Sequence, residues 1–124
     1  MIIKDIIKAD LQGENPDDVI RSITHYLENN KGILIRKNDT VIFGYKFNDD
    51  CAGMHLFTVD SPIRVVRAIK HFVEEAPKHN VKTIYGLTEN KQMYRVFKLL
   101  GLNVEKSELP QYNWKWSIRD LYVK

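Results

Sequence analysis

Four basic side chains, Arg64, Arg67, Lys70 and His71, crowd the opening turns of a segment whose acids, Glu74 and Glu75, come late. Read as a helix opened by Ser61-Pro62, this reverses the order that a helix dipole favours. Acids at the start and bases at the end each gain about 0.3–1 kcal/mol. Cations set against that preference suit an anion docked at the helix start, where guanidinium groups bind phosphate oxygens in pairs. They equally suit a solvated face whose cations pair with acids elsewhere. For proton transfer near neutrality the candidate is His55, the side-chain type whose ordinary pKa lies closest to pH 7. Its alternation partners Phe57 and Val59 also fit a packed or edge histidine. Asp49 and Asp50 stand at the entrance to the same strand and could act as bases, directly or through water, or simply form the turn. Cys51 has no basic neighbour in sequence to lower its pKa, so no nucleophilic role is assigned to it. No metal site is assigned.

These residues need a frame. At 124 residues the chain is expected to form a single domain, residues 1–124. Its 44% apolar and 28% charged residues are ordinary for a globular protein, so a core can form without disulfide or metal staples. A net charge of +3 is too mild for nucleic acid, and Lys4, Lys8, Arg36, Lys37 and Lys46 are scattered along the chain, with no basic stripe. The single Cys51 excludes an internal disulfide framework and fits a reducing compartment. Charges interrupt the apolar pairs of residues 1–8, which therefore read as neither signal peptide nor membrane span. The expected address is the cytoplasm.

Residues 2–8, rich in isoleucine, read as a first strand. Asn15 is placed as an N-cap with Pro16 at the first helical position, and Val19, Ile20, Ile23, Tyr26 and Leu27 follow at helical spacing. Residues 33–37 and 41–47 flank the turn Lys37-Asn38-Asp39 and form a hairpin. A strand over 54–59 leads into the helix opened by Ser61-Pro62, whose apolar stripe runs Val65, Val66, Ile69, Phe72, Val73 and Ala76. Residues 81–87 form another strand. Asn90 caps a short helix with Met93, Val96, Phe97 and Leu100 inward and Gly101 at C′. Two last strands are expected over 102–109 and 112–123. The order is β-α-β-β-β-α-β-α-β-β, an α/β (α+β) mixed sheet whose central β-α-β-α portion gives parallel strands.

This order resembles that of the GNAT superfamily of acetyl-CoA-dependent N-acetyltransferases over nearly the whole chain. The likeness is sharpest over residues 54–102, where Asn90, Met93, Phe97, Gly101 and Leu102 stand at the family's intervals. The chain also resembles small, motif-poor GNAT-like proteins of bacteriophages. The resemblance implies acetyl-CoA held between strands 54–59 and 81–87. The main chain of Phe57, Thr58 and Val59 would take the pantetheine arm. The pyrophosphate would lie on the following loop and helix start, Arg64, Val65, Arg67 and Ala68, with Asn90 also at the cofactor. Unpaired N–H groups and a positive dipole end favour an anion there.

The pattern is broken in two places. In the family's loop signature Arg64 fills the first position, but Arg67 replaces the first glycine and Ile69 the last residue, or Ala68 after a one-residue shift. A Cβ at these points narrows a phosphate cradle. The family's tyrosine acid falls at Phe97, which has no proton to give; Tyr94, one turn earlier, could serve only if the helix were rotated. His55 is the candidate base and Tyr94 the candidate acid. Two functions therefore stand: transfer of acetyl from acetyl-CoA to an amine substrate, or a non-catalytic module that binds a protein partner. For the second, Tyr112, Trp114, Trp116 and Ile118 alternate on the last strand and fit either core packing or an interface, with a partner or a second copy.

Overall fold

A computed structural model describes residues 1–88 and 91–117. The elements are α1 (Ile3–Asp10), α2 (Asp17–Glu28), β1 (Gly32–Lys37), β2 (Thr40–Lys46), β3 (Cys51–Thr58), α3 (Pro62–Glu75) with a 3₁₀ turn (Ala76–His79), β4 (Thr83–Gly86), α4 (Lys91–Leu99), β5 (Glu105–Lys106) and β6 (Trp114–Ser117). The first element corrects the sequence reading, because residues 2–8 supply a helix where a strand was expected. Ile3, Ile6 and Ile7 recur at one helical face, and Ile6 and Ile7 are completely buried. That packing overrides the β preference of isoleucine. The order therefore opens α-α, and among the described residues the sheet has six strands. α2 starts one residue later than expected: Pro16 is its N-cap, and the Asp17 N–H donates to Asn15 Oδ1 at 3.0 Å.

The strands lie in the order β1-β2-β3-β4-β6-β5, and every neighbouring pair is antiparallel except β3 with β4. A core forms on each face. On one face Ile33, Ile35 and Ile42 meet Ile69, Phe72 and Val73 of α3, while Ile84, Trp114 and Trp116 meet Val96 and Phe97 of α4. On the other, Val41, Phe43 and Phe57 meet Ile6, Ile7 and Ile23 of α1 and α2. The sheet positions that feed these cores alternate along β1, β2 and β3, as a pleated sheet covered on both faces requires.

The strand expected over 102–109 is confined to Glu105–Lys106, and the one expected from 112 begins at Trp114; its expected continuation over 118–123, including Ile118, lies outside the described residues. Trp114 and Trp116 are 3% and 2% exposed. They belong to the core beneath α4, so the aromatic alternation is buried packing and not an open surface. Tyr112 precedes β6 and joins the opposite face, where its hydroxyl bonds that of Tyr45 at 2.7 Å. Gly101 closes α4 at φ +71°, the left-handed position foreseen for it.

Candidate functional site

Among the described residues β3 and β4 pair through three residue pairs only, Cys51–Thr83, Ala52–Ile84 and Gly53–Tyr85. Beyond Gly53 the strands part. The Asp50 carbonyl accepts from the Lys82 and Thr83 N–H groups, so even-numbered residues of this segment turn their main chain toward β4. Leu56 and Thr58 therefore present N–H and C=O to the side that β4 has left. The opening is a cleft of about 880 Å³, lined among others by Met54, His55, Leu56, Val65, Met93 and Val96. Polar and apolar surface line it in nearly equal measure, with Asp10, Thr58, Asp60 and Thr88 among the polar groups.

The candidate residues are distributed unevenly around it. His55 lines the cleft, stacked on Phe57 with ring centroids 6.3 Å apart and tilted against Tyr45. Desolvation lowers its pKa from the ordinary histidine value, so the imidazole stays neutral at pH 7. The Thr58 N–H does face the cleft, but the Asp10 carboxylate at the end of α1 already accepts from it at 3.1 Å. Val59 turns the other way, and its N–H donates to the Asp39 carbonyl. Phe57 is paired with Val41 of β2, and its ring is buried. Of the three proposed strand positions, only Thr58 offers main-chain groups to the opening.

At the start of α3 no side chain caps the helix, and Ser61 C=O takes the N–H groups of both Arg64 and Val65. Pro62 has no N–H to offer. Val65 lines the cleft. Arg64 Nη1 lies 3.7 Å from Asp60 Oδ1, so this cation already faces an acid. The Asp60 side chain is 4% exposed and also accepts from the Asp39 N–H and from Thr40 Oγ1. Arg67 is exposed and lies within the helix, and Ala68 is fully buried beneath it. The stretch read as a phosphate loop is thus already helical. Asn90 lies outside the described residues.

Tyr94 does not reach the cleft. It is 36% exposed and meets Phe97 edge-on at 6.1 Å, while Phe97 is buried against Trp114 at 4.8 Å. Asp50 and Cys51 bond each other at 3.4 Å away from the cleft, and burial raises the Cys51 thiol pKa, consistent with an inert thiol. Asp10, Gln12, Thr88 and Gln92 line the cleft and were not singled out in the sequence. Asp10 and Gln12 arrive with the misread first helix. Thr88 is fixed by partners far along the chain, Asn113 and Trp114.

The strand that carries an opening only beyond its third residue pair, flanked by a crossover helix whose start faces the gap, settles the architecture. Among solved structures, an aminoglycoside 6′-acetyltransferase type Ii matches 94% of this chain and 87% of its own at a TM-score of 0.65 and 14% identity. A GNAT-family acetyltransferase from Staphylococcus aureus Mu50 matches 92% and 85%, with a TM-score of 0.61 and 18% identity. The chain has the GNAT acetyltransferase fold. A putative acetyltransferase from Salmonella typhimurium, solved with its cofactor acetyl-CoA, shares the GNAT fold with this chain over 93% and 83% of the two lengths, at a TM-score of 0.62 and 9% identity. No protein-family model and no curated protein matches the sequence. Among the described residues, no helix of this GNAT-fold chain is long and apolar enough to cross a membrane.

Proposed function

We propose that the chain binds acetyl-CoA in the cleft between β3 and β4 and transfers its acetyl group to an amine. The observation that carries this reading is the parting of the two parallel strands beyond Gly53 and Tyr85, which leaves a main-chain edge facing a slot of mixed apolar and polar lining. Acetyl-CoA supplies the activated acyl carbon when bound. A slot with this edge fits a narrow amide-bearing arm, because main-chain N–H and C=O groups can replace the missing strand partner. The phosphate end fits less well, since Pro62 lacks a donor and Arg64 is shared with Asp60. Arg67 and the uncapped start of α3 are the groups left for the anion.

In this reading His55 takes the proton of the attacking amine, for which its neutral imidazole is suited. With Phe97 in the family's tyrosine position and Tyr94 turned aside, water supplies the proton for the departing thiolate. Met54, Leu56, Met93 and Val96 supply apolar surface beside the reacting groups.

A second reading, a GNAT-fold module that holds a protein partner without catalysis, is favoured by the occupied donors: Asp10 on Thr58 and Asp60 against Arg64. Such a partner could not use Trp114 or Trp116, which are buried. Calorimetric titration with acetyl-CoA and CoA separates the two. Micromolar binding that is lost in the Arg64→Ala, Arg67→Ala double variant, with its thermal unfolding unchanged, supports the cofactor reading. Absence of heat at millimolar ligand rejects it and leaves the partner reading.

A further inference from the structure

Thr88 is held on three sides. Its N–H donates to Asn113 Oδ1 at 2.9 Å, its carbonyl accepts from Asn113 Nδ2 at 2.6 Å, and its Oγ1 accepts from Trp114 Nε1 at 3.2 Å. The asparagine amide thus clasps the main chain just past β4, while an indole that is 3% exposed fixes the hydroxyl oxygen. A threonine hydroxyl has one proton and can also accept. Since the indole N–H occupies an acceptor position, the proton must point elsewhere. Among the described residues it has no acceptor, and Thr88 lines the same cleft as Leu56 and His55. The result is a hydroxyl whose oxygen is held before any ligand arrives and whose proton is left to turn into the cleft, on the wall opposite the free edge of β3.

We propose that the Thr88 hydroxyl is a catalytic donor of this cleft, hydrogen-bonding the carbonyl oxygen of a bound acyl thioester. The inference rests on the acetyl-CoA reading above and deepens it. Thr88 polarises and does not protonate, because an aliphatic hydroxyl is far too weak an acid to lose its proton to a thiolate. When the amine forms its C–N bond, electron density moves to the thioester oxygen. A donor there gains strength as the charge grows, and its bond weakens again when the C–S bond breaks and the carbonyl re-forms. The amine's proton leaves through His55 or water, and Thr88 keeps its own. Sequence spacing could not announce this group, because its orienting partners lie 25 and 26 residues away.

The test compares acetyl-CoA with S-ethyl-CoA, which has a methylene in place of the carbonyl. Calorimetry should find acetyl-CoA bound about three- to tenfold more tightly by the wild-type chain, the range expected of one net hydrogen bond. Thr88→Val should erase that preference and Thr88→Ser should keep it. A readout that needs no variant is the ¹⁵N–¹H signal of the Trp114 indole, which should shift with acetyl-CoA more than with S-ethyl-CoA, with the buried Trp116 indole as internal control. If the wild-type chain binds both ligands equally and the Trp114 signal moves alike with each, the Thr88 inference is overturned while the cofactor reading stands. It is overturned likewise if Thr88→Val folds and retains the preference. If neither ligand binds, the cofactor reading itself fails and takes the Thr88 role with it.

Discussion

His55 makes its neighbourhood from rings and not from charges: Phe57 lies stacked beside it and Tyr45 leans on it. Desolvation without a compensating anion holds its pKa below the usual 6.5 or so, so the folded chain binds fewer protons than the unfolded chain just below that pH. Stability should therefore fall as pH drops through about 6.5 toward the folded value, and His55→Phe should flatten that part of a denaturation–pH curve. An unaltered slope in the variant would show that another group is responsible. Asp10 gives the second prediction at this scale. In the proposed reading its carboxylate must yield the Thr58 N–H before a ligand amide can use it, and it stands against the negative charge of CoA. Asp10→Ala should tighten CoA binding several-fold in calorimetry, in line with about 1 kcal/mol for one hydrogen bond. Weaker binding in that variant would mean that Asp10 helps to hold the ligand.

At the scale of elements, β6 and the end of β4 behave as one unit. Gly86 lies under Trp114, and a Cβ built there would stand 2.1 Å from the indole. Gly86→Ala should cost about 1–3 kcal/mol in chemical denaturation, the usual range for overpacking. Trp116 offers a sharper contrast. Among the described residues its Nε1 is buried without a partner, and Trp116→Ala should cost about 3–5 kcal/mol by leaving a cavity. Trp116→Phe should cost much less, because it removes an unsatisfied donor as well as some volume. Equal losses in both would point to a bonded indole. Much of this level was legible in the sequence. The hairpin around Asn38, the helix after Ser61-Pro62 and the glycine at 101 follow from turn chemistry and periodicity. The first helix was not, because isoleucines at 2, 3, 6 and 7 carry a helical spacing in residues that favour strands. Nor does any residue mark where β3 and β4 separate: that point depends on which pairings continue, a property of the sheet and not of a local pattern.

Across the whole molecule, acid sensitivity should concentrate near β5 and β6. Glu108 accepts from the Tyr85 hydroxyl at 2.5 Å and from Lys115 at 2.9 Å, and these bonds pull its pKa down to about 2. A carboxylate depressed by folding contributes stability that is present above the unfolded value and is lost as pH falls through about 4.5 toward about 2. Glu108→Gln should make the unfolding midpoint less pH-dependent across that window, and an unchanged dependence would assign the acid limb elsewhere. The fold class was readable at this scale from element order, yet the candidate site was read only in part. His55, Thr58 and Val65 line the cleft, whereas Tyr94 faces away and Arg67 and Ala68 lie inside α3. The short β3–β4 pairing has a mechanical corollary. Among the described residues it is the hydrogen-bonded seam between a half built on β1–β3 and a half built on β4, β6 and β5. Slow amide exchange should therefore break down first along that join. Whatever threads the gap would act as a suture, and protection spreading to both halves on ligand addition would reveal it.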